Sequence, residues 1–192
     1  FDYENFVVPK ATAPGLVINN GIREIHPMRF GLIPIGAKTE PKQPYNNARI
    51  ESIDKWPWKV PVKQQRCVLP LNAFREPCYW GATAGKEVFF SAPGDPLLFV
   101  AGLYHHWQGQ MTMTFIMRPA CDFVMDHGHH RQPFFIHPDG VDDWIAPQER
   151  STRDSLAILG NHAYEPAMEF TVHRQMSTAW QGRQKARLKK RD

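Results

Sequence analysis

Four short stretches of this sequence crowd together side chains that move protons, grip anions or stack on rings. Residues 126–133 read Asp-His-Gly-His-His-Arg-Gln-Pro and contain His127, His129 and His130. Histidine is the side chain whose ordinary pKa lies nearest neutrality, so it suits proton transfer. If the segment is extended, His127 and His129 share one face at a period of two, which also suits a metal. A zinc site would need further ligands, and Asp126 or the His105–His106 pair are candidates that the spacing leaves open. Residues 66–76 run from Arg66 through an apolar, strand-like stretch to a lone carboxylate, Glu76, flanked by Phe74 and Tyr79. Desolvation among aromatics raises a carboxyl pKa and makes a general acid or base; the plain alternative is an exposed surface Glu. Residues 45–51 place Asn47, Arg49 and Glu51 within one short stretch. The Arg49 fork suits phosphate and Asn47 can both donate and accept, unless this is only a polar turn beside surface charges. Finally, Met28-Arg29-Phe30-Gly31-Leu32-Ile33-Pro34 is an aromatic-Gly-apolar-Pro loop entered from a strand, either a stacking platform for bases or a simple turn.

The elements that must position these residues are mostly short. Strands are predicted over residues 23–32, 86–90, 97–104, 111–117, 132–137 and 169–173, which are rich in Val, Ile, Phe and Thr. Helices are predicted over 142–146, after a Pro138-Asp139-Gly140 turn, and over 150–159, with Gly160 as C-cap. Seventeen prolines and thirteen glycines separate the segments. Short strands with a minority of helix predict an α+β fold, a single domain around an antiparallel sheet or partial barrel.

The chain of 192 residues, 42% hydrophobic, is long enough for one well-buried core and short for two. Six Trp and twelve Phe exceed what such a core needs, leaving aromatic surface for a ligand. No apolar run reaches the roughly 18–20 residues of a membrane span, so no membrane partner is expected. Three cysteines, Cys67, Cys78 and Cys121, are widely spaced and form no CxxC pair, which excludes a disulfide framework and a Cys-rich zinc module. A reducing cytoplasm follows as the expected compartment. The net charge of +4 is a property of the end of the sequence. Arg183, Lys185, Arg187, Lys189, Lys190 and Arg191 against Asp192 give +5 there and leave −1 for the rest. Such a basic tail, residues 181–192 beyond a domain of 1–180, either contacts phosphates or is a solvated terminus.

In this order the four stretches resemble the SRAP family (SOS-response-associated peptidase, abasic-site-processing proteins) over about residues 6–175. The family's RWGLIP is similar to Arg29–Pro34, its NAR-E to Asn47–Glu51, its RCLVPA-GFYEW to Arg66–Glu76, its FAGLW to residues 99–104 and its H-[DE]-R-MP to His129–Pro133. The resemblance implies an abasic-site sensor that binds single-stranded DNA, associates with the nucleoid when so bound, and uses no cofactor and no metal. It forms a covalent DNA–protein crosslink and has thiol autopeptidase and lyase-like capacity. The nucleophile in that family is a cysteine directly after the initiator Met, whose α-amine titrates near pKa 8, well below a lysine. That cysteine would lie outside the present sequence, which opens on Phe1; a natural N-terminus reading Met-Cys-Gly-Arg or close to it is expected.

Carried over by motif, Asn47 would hold the nucleophilic end or the sugar. Glu76 would shuttle protons during Schiff-base formation, and His129 would act as acid or base on the sugar hydroxyl or leaving group. Arg49 would clamp a phosphate, with Arg131 beside it in the DNA-binding set, and Phe30, Gly31 and Pro34 would form a loop wedged against exposed bases. The chain departs from the pattern at His130 (an acidic residue in the family), Pro77 (an aromatic), Gln132 (Met) and Phe30 (often Trp). These changes bear on the orientation of His129 and on the stacking surface. Two other readings of the same residues are a non-catalytic single-stranded-DNA-binding protein and a metal-dependent hydrolase built on the histidine cluster.

Overall fold

A computed structural model of the protein describes residues 7–189. Among these run eleven strands: β1 (Thr12–Asn19), β2 (Ile22–Phe30), β3 (Asn47–Arg49), β4 (Arg66–Leu71), β5 (Ala73–Pro77), β6 (Lys86–Ser91), β7 (Leu98–Trp107), β8 (Gln110–Pro119), β9 (Arg131–Pro133), β10 (Phe135–Ile136) and β11 (Glu169–Gln175). The α-helices among them are α1 (Pro61–Gln64), α2 (Asp122–Asp126), α3 (Val141–Ile145), α4 (Thr152–Asn161) and α5 (Trp180–Leu188). The chain divides into two units interleaved in sequence. The first takes the described residues up to Pro70 with Phe99–Met117 and Phe134–Tyr164; the second takes Leu71–Leu98, Arg118–Pro133 and the described residues from Glu165.

The first unit is a strand barrel. Neighbours in the order β7, β4, β1, β2, β8 are hydrogen-bonded, and β8 pairs back onto β7, so five strands close a ring. Closure leaves no free edge within that ring. The β1–β2 hairpin turns at Asn20-Gly21, both with positive φ (50° and 78°), the Asn-Gly signature of a tight hairpin. β1 alternates half-buried and buried positions along most of its length, as a strand with one face inward must. One buried cluster of this unit joins Leu32, Val68, Ala101, Leu103, Ile116 and Phe134 to Trp144 of α3. The buried Arg66 is capped by the carbonyl oxygens of Trp144 (2.8 Å), Val62 (3.3 Å) and Gln148 (2.9 Å), and by those of Lys63 and Ala146.

The second unit is smaller. Its sheet has the order β11, β6, β5, antiparallel throughout, with Glu76 opposite Val88 and Phe170 opposite Phe90. The edge strand β11 is exposed along its whole length. Phe74 stacks on Phe90 (centroids 5.1 Å apart), and Phe123 of α2 meets Phe90 edge-on.

The α+β class, the barrel-like sheet and the few short helices are those expected from the sequence. The pairings of β2 with β8 and of β3 with β8 are parallel, in addition to antiparallel ones. The strand expected at 132–137 is two short strands interrupted at Phe134; Pro133 has no N–H to continue a ladder. Gly160 is not a C-cap: α4 runs through it to Asn161 and is capped by His162. Of the stretch read as a basic tail, residues up to Leu188 form α5, while Lys190, Arg191 and Asp192 lie outside the described residues, as does Phe6.

Candidate active site

Glu76 and His129 are brought together in the second unit. Glu76 is on β5, on the face shared with Phe74, because side chains alternate along a strand. Arg75 points to the other face, where Glu87 takes ion pairs from Arg75 (3.0 Å) and from the fork of Arg174 (2.9 and 3.2 Å). His129 follows α2 through Gly128, whose φ of +98° is a left-handed turn at a helix end. A Cβ on Gly128 would come within 2.5 Å of the Trp80 carbonyl oxygen, so only glycine fits. The segment is therefore not extended. His127 caps α2 and packs between Phe123 and Phe170 (4.4 and 4.2 Å), on a path that separates it from His129.

The chemistry of the pair follows from its contacts. His129 Nδ1 lies 2.9 Å from the carbonyl oxygen of Arg131. A carbonyl only accepts, so Nδ1 carries a proton and Nε2 faces Glu76, 3.6 Å from Oε2. That is ion-pair range and longer than a hydrogen bond, leaving a gap that a reacting atom can close. Both side chains are largely buried, 6% exposed for His129 and 18% for Glu76. Desolvation raises the Glu76 pKa above the ordinary carboxylate value, opposed by the charges of His129, Arg187 and Arg75. A carboxyl whose pKa is raised by burial, next to a histidine, is the arrangement of a proton-transfer pair.

Tyr79, fully buried, frames the pair. Its ring is 6.5 Å from that of His129, and its N–H donates to the Gly128 carbonyl (2.8 Å). α5 docks on it: Gln184 Nε2 donates to the Tyr79 carbonyl (2.8 Å), and the Arg187 guanidinium lies 5.5 Å over the ring centroid. The ring of His130 packs 5.0 Å from that of His129, and the buried Gln132 accepts from the N–H of Cys121 at the start of α2 (2.7 Å). Two departures from the family pattern thus sit in the support of His129.

Arg131, at the start of β9, is also in the second unit, while the first unit holds Asn47, Arg49, Phe30, Gly31 and Pro34. β3 lies parallel to β8 and alternates exposed Asn47, buried Ala48 and exposed Arg49, so the amide and the guanidinium share one outward face. Gly31 turns the chain after β2 with φ +114°, where a Cβ would strike Pro44 at 2.6 Å. Phe30 and Pro34 are buried, Phe30 against Phe115 (4.8 Å). What this stretch presents outward is an open pocket of about 230 Å³, lined by Pro34, Ile35, Thr39 and Pro41 and walled by Tyr45 and Trp56. Trp56 is 69% exposed and stands edge-on to Tyr45 at 5.7 Å.

The family model for SOS response associated peptidase (SRAP) matches residues 3–178. This chain belongs to the SRAP family. Three solved structures share its fold: a protein from Bordetella bronchiseptica (TM-score 0.75, 19% identity, 91% of this chain and 89% of that one); a protein from Bacteroides thetaiotaomicron (0.69, 21%, 86% and 75%); and a phage-related protein from B. bronchiseptica (0.64, 20%, 88% and 81%). No curated protein matches the sequence. SRAP membership gives the chain a DNA-damage-associated role of the SRAP type.

Within this SRAP protein two of the internal cysteines, Cys67 and Cys78, are poor nucleophiles. Cys67 and Cys78 are buried, and burial raises both thiols, that of Cys78 to about 12. No group of three metal-ligating side chains occurs among the described residues. No helix among them is long and apolar enough to cross a membrane. Sequence reasoning missed Trp56, Gln184 and Arg187. Trp56 lies in a lysine-rich loop without period, and Arg187 had no mark beyond the charge of its neighbours.

Proposed function

We propose that this SRAP protein captures abasic sites in single-stranded DNA covalently, with Glu76 and His129 as its proton-transfer pair. The observation that carries the reading is the burial of these two side chains against one another at 3.6 Å, with the Glu76 pKa raised, in a chain of this family. The proposed nucleophile is an N-terminal cysteine, by resemblance; the burial of Cys67 and Cys78 supports looking away from the internal thiols. Its α-amine attacks the aldehyde carbon of the ring-opened deoxyribose, and the carbinolamine loses water to give the Schiff base. The thiol then adds across the C=N bond, sulfur to carbon and hydrogen to nitrogen, closing a thiazolidine. Each step moves a proton, and each suits a buried carboxyl with an imidazole facing it at 3.6 Å. Asn47 is proposed to hold the sugar or the nucleophilic end, and Arg49 and Arg131 to engage phosphates. A buried ring cannot stack on a base, so the stacking role proposed for the Phe30–Pro34 loop passes to Trp56 and Tyr45 beside it.

The test is intact-mass spectrometry of the full-length protein mixed with abasic-site oligonucleotide, followed by peptide mapping. The expected adduct is on the first residue of the mature chain. An adduct on Cys121 or a lysine sinks the mechanism, and no adduct at all leaves a non-catalytic single-strand binder. His129→Ala should slow adduct formation by about 10² or more while the melting curve is kept. His127→Ala is the control and should be nearly silent.

A further inference from the structure

We infer that α5 is a working part of the acid–base site, and that Arg187 is a positioning residue whose guanidinium, seated on the Tyr79 ring beside His129, presents its positive charge to the Glu76–His129 pair. The helix is an unusual candidate for a structural element. None of its residues is buried, and its sequence is Gln, Gly, Arg and Lys with few apolar side chains. What holds it is one face: Trp180, Gln184 and Arg187, spaced i, i+4, i+7, are its half-buried positions, while Arg183, Lys185 and Lys189 are exposed. Each of the three has a specific seat. The Trp180 ring lies where a Cβ on Gly85 would come within 2.8 Å, so Gly85 (φ +79°) is what admits it. Gln184 binds the Tyr79 carbonyl and Arg187 covers the Tyr79 ring. A helix fastened by its polar side chains rather than by apolar area is placed to deliver those side chains.

Arg187 is the cation that α5 adds to Glu76. The charged groups acting on that carboxyl are His129 after α2, Arg187 from α5 and Arg75 from its own strand, and the nearby Cys78 thiol is raised in part by its charge. Arg75 projects to the opposite face and is engaged by Glu87. His129 is the proton-transfer partner and changes charge as it works. Arg187 therefore supplies the constant positive charge on this side, and it opposes the burial that pushes the Glu76 pKa up. The family match ends at residue 178, before α5 begins, so the matched residues do not include this cation.

The inference rests on the proposed role of Glu76 only in its kinetic arm, and the test has a separate arm. Carboxyl-labelled glutamate, followed by NMR in the full-length protein, gives the Glu76 titration directly. Arg187→Gln should move that titration to higher pH, Arg187→Lys should largely restore it, and Arg183→Gln on the outer face should leave it alone. Trp180→Ala, which loosens the helix but keeps the cation, should move it in the same direction as Arg187→Gln. Adduct formation by Arg187→Gln should fall roughly tenfold at neutral pH, with the acid limb of the rate profile displaced upward and the rate recovered at high pH. An unmoved Glu76 titration in Arg187→Gln overturns the inference, and so does an equal shift in Arg183→Gln. If the titration moves but the wild-type protein forms no adduct, the functional reading fails and the positioning role stands.

Discussion

Arg66 and Glu76 are two charged side chains buried within ten residues of each other in sequence, one in each unit, and they are treated in opposite ways. Arg66 is saturated: five carbonyl oxygens meet its guanidinium and its plane lies 5.9 Å from the Trp144 ring. Burial lowers its pKa only to about 10, so it stays charged at neutral pH. Glu76 has instead a histidine at 3.6 Å and a raised pKa. A buried charge with every partner supplied is a structural rivet; a buried charge left short of partners is held ready to exchange a proton. Burial alone does not separate the two, and the count of partners does.

The largest expected effect breaks the first half of that contrast. Arg66→Met leaves buried carbonyls unpaired, at about 1–3 kcal/mol each, out of a total stability of about 5–15 kcal/mol. Loss of the cooperative melt is the outcome to look for by calorimetry, and a melting curve like that of the parent protein would refute the rivet. Glu76→Gln should act in the other sense, slowing adduct formation by about 10² while folding no worse. Its stability should also be pH-dependent. Because the folded-state pKa of Glu76 is raised, its contribution to stability is full below the ordinary glutamate pKa and is lost as pH rises through the folded value. Glu76→Gln should therefore melt higher than the parent above that value, by about 2–4 °C per kcal/mol recovered, and the advantage should vanish in acid. A melting difference that does not change with pH removes the desolvated carboxylate from the account.

Smaller effects belong to the first unit. Trp56→Ala should weaken binding to single-stranded DNA by about 1–3 kcal/mol if one base stacks there; unchanged affinity by fluorescence anisotropy returns Trp56 to the surface. Arg49→Ala should lower affinity across sequences and flatten the log–log salt slope by about 0.7, the value for one phosphate contact on a single strand.

Much of this was legible in the sequence, for reasons that are physical. β6, β7, β8 and β11 announce themselves because Val, Ile, Phe and Thr fit a pleated, half-buried surface. β1 does not, since Ala-Pro-Gly in its first half argues against a strand; its pairing with β2 along the whole hairpin overrides propensity. Glu76 and His129 were both visible, one as a carboxylate among aromatics, the other in a histidine cluster. Local spacing alone left His127 and His129 on a par, and only the motif resemblance singled out His129; the left-handed Gly128 gives the physical reason by turning the chain between them. Nor could it separate Arg187 from its basic neighbours, because charge is read from composition whereas its seat on Tyr79 depends on helical phase.

The ring of strands in the first unit has a consequence for how the protein is made. The β1–β2 hairpin is local and can form as soon as residue 30 is synthesised, but the ring closes through β8, where Arg29 meets Thr112 and Phe30 meets Met113. Until that segment leaves the ribosome, one edge of the hairpin waits unpaired with inward-facing apolar side chains on display. Contacts so distant in sequence make folding slow and leave a window for misassociation. A slip of one residue in that last pairing would turn every inward side chain of β8 outward, so the closing strand is where a nascent chain is most exposed to error.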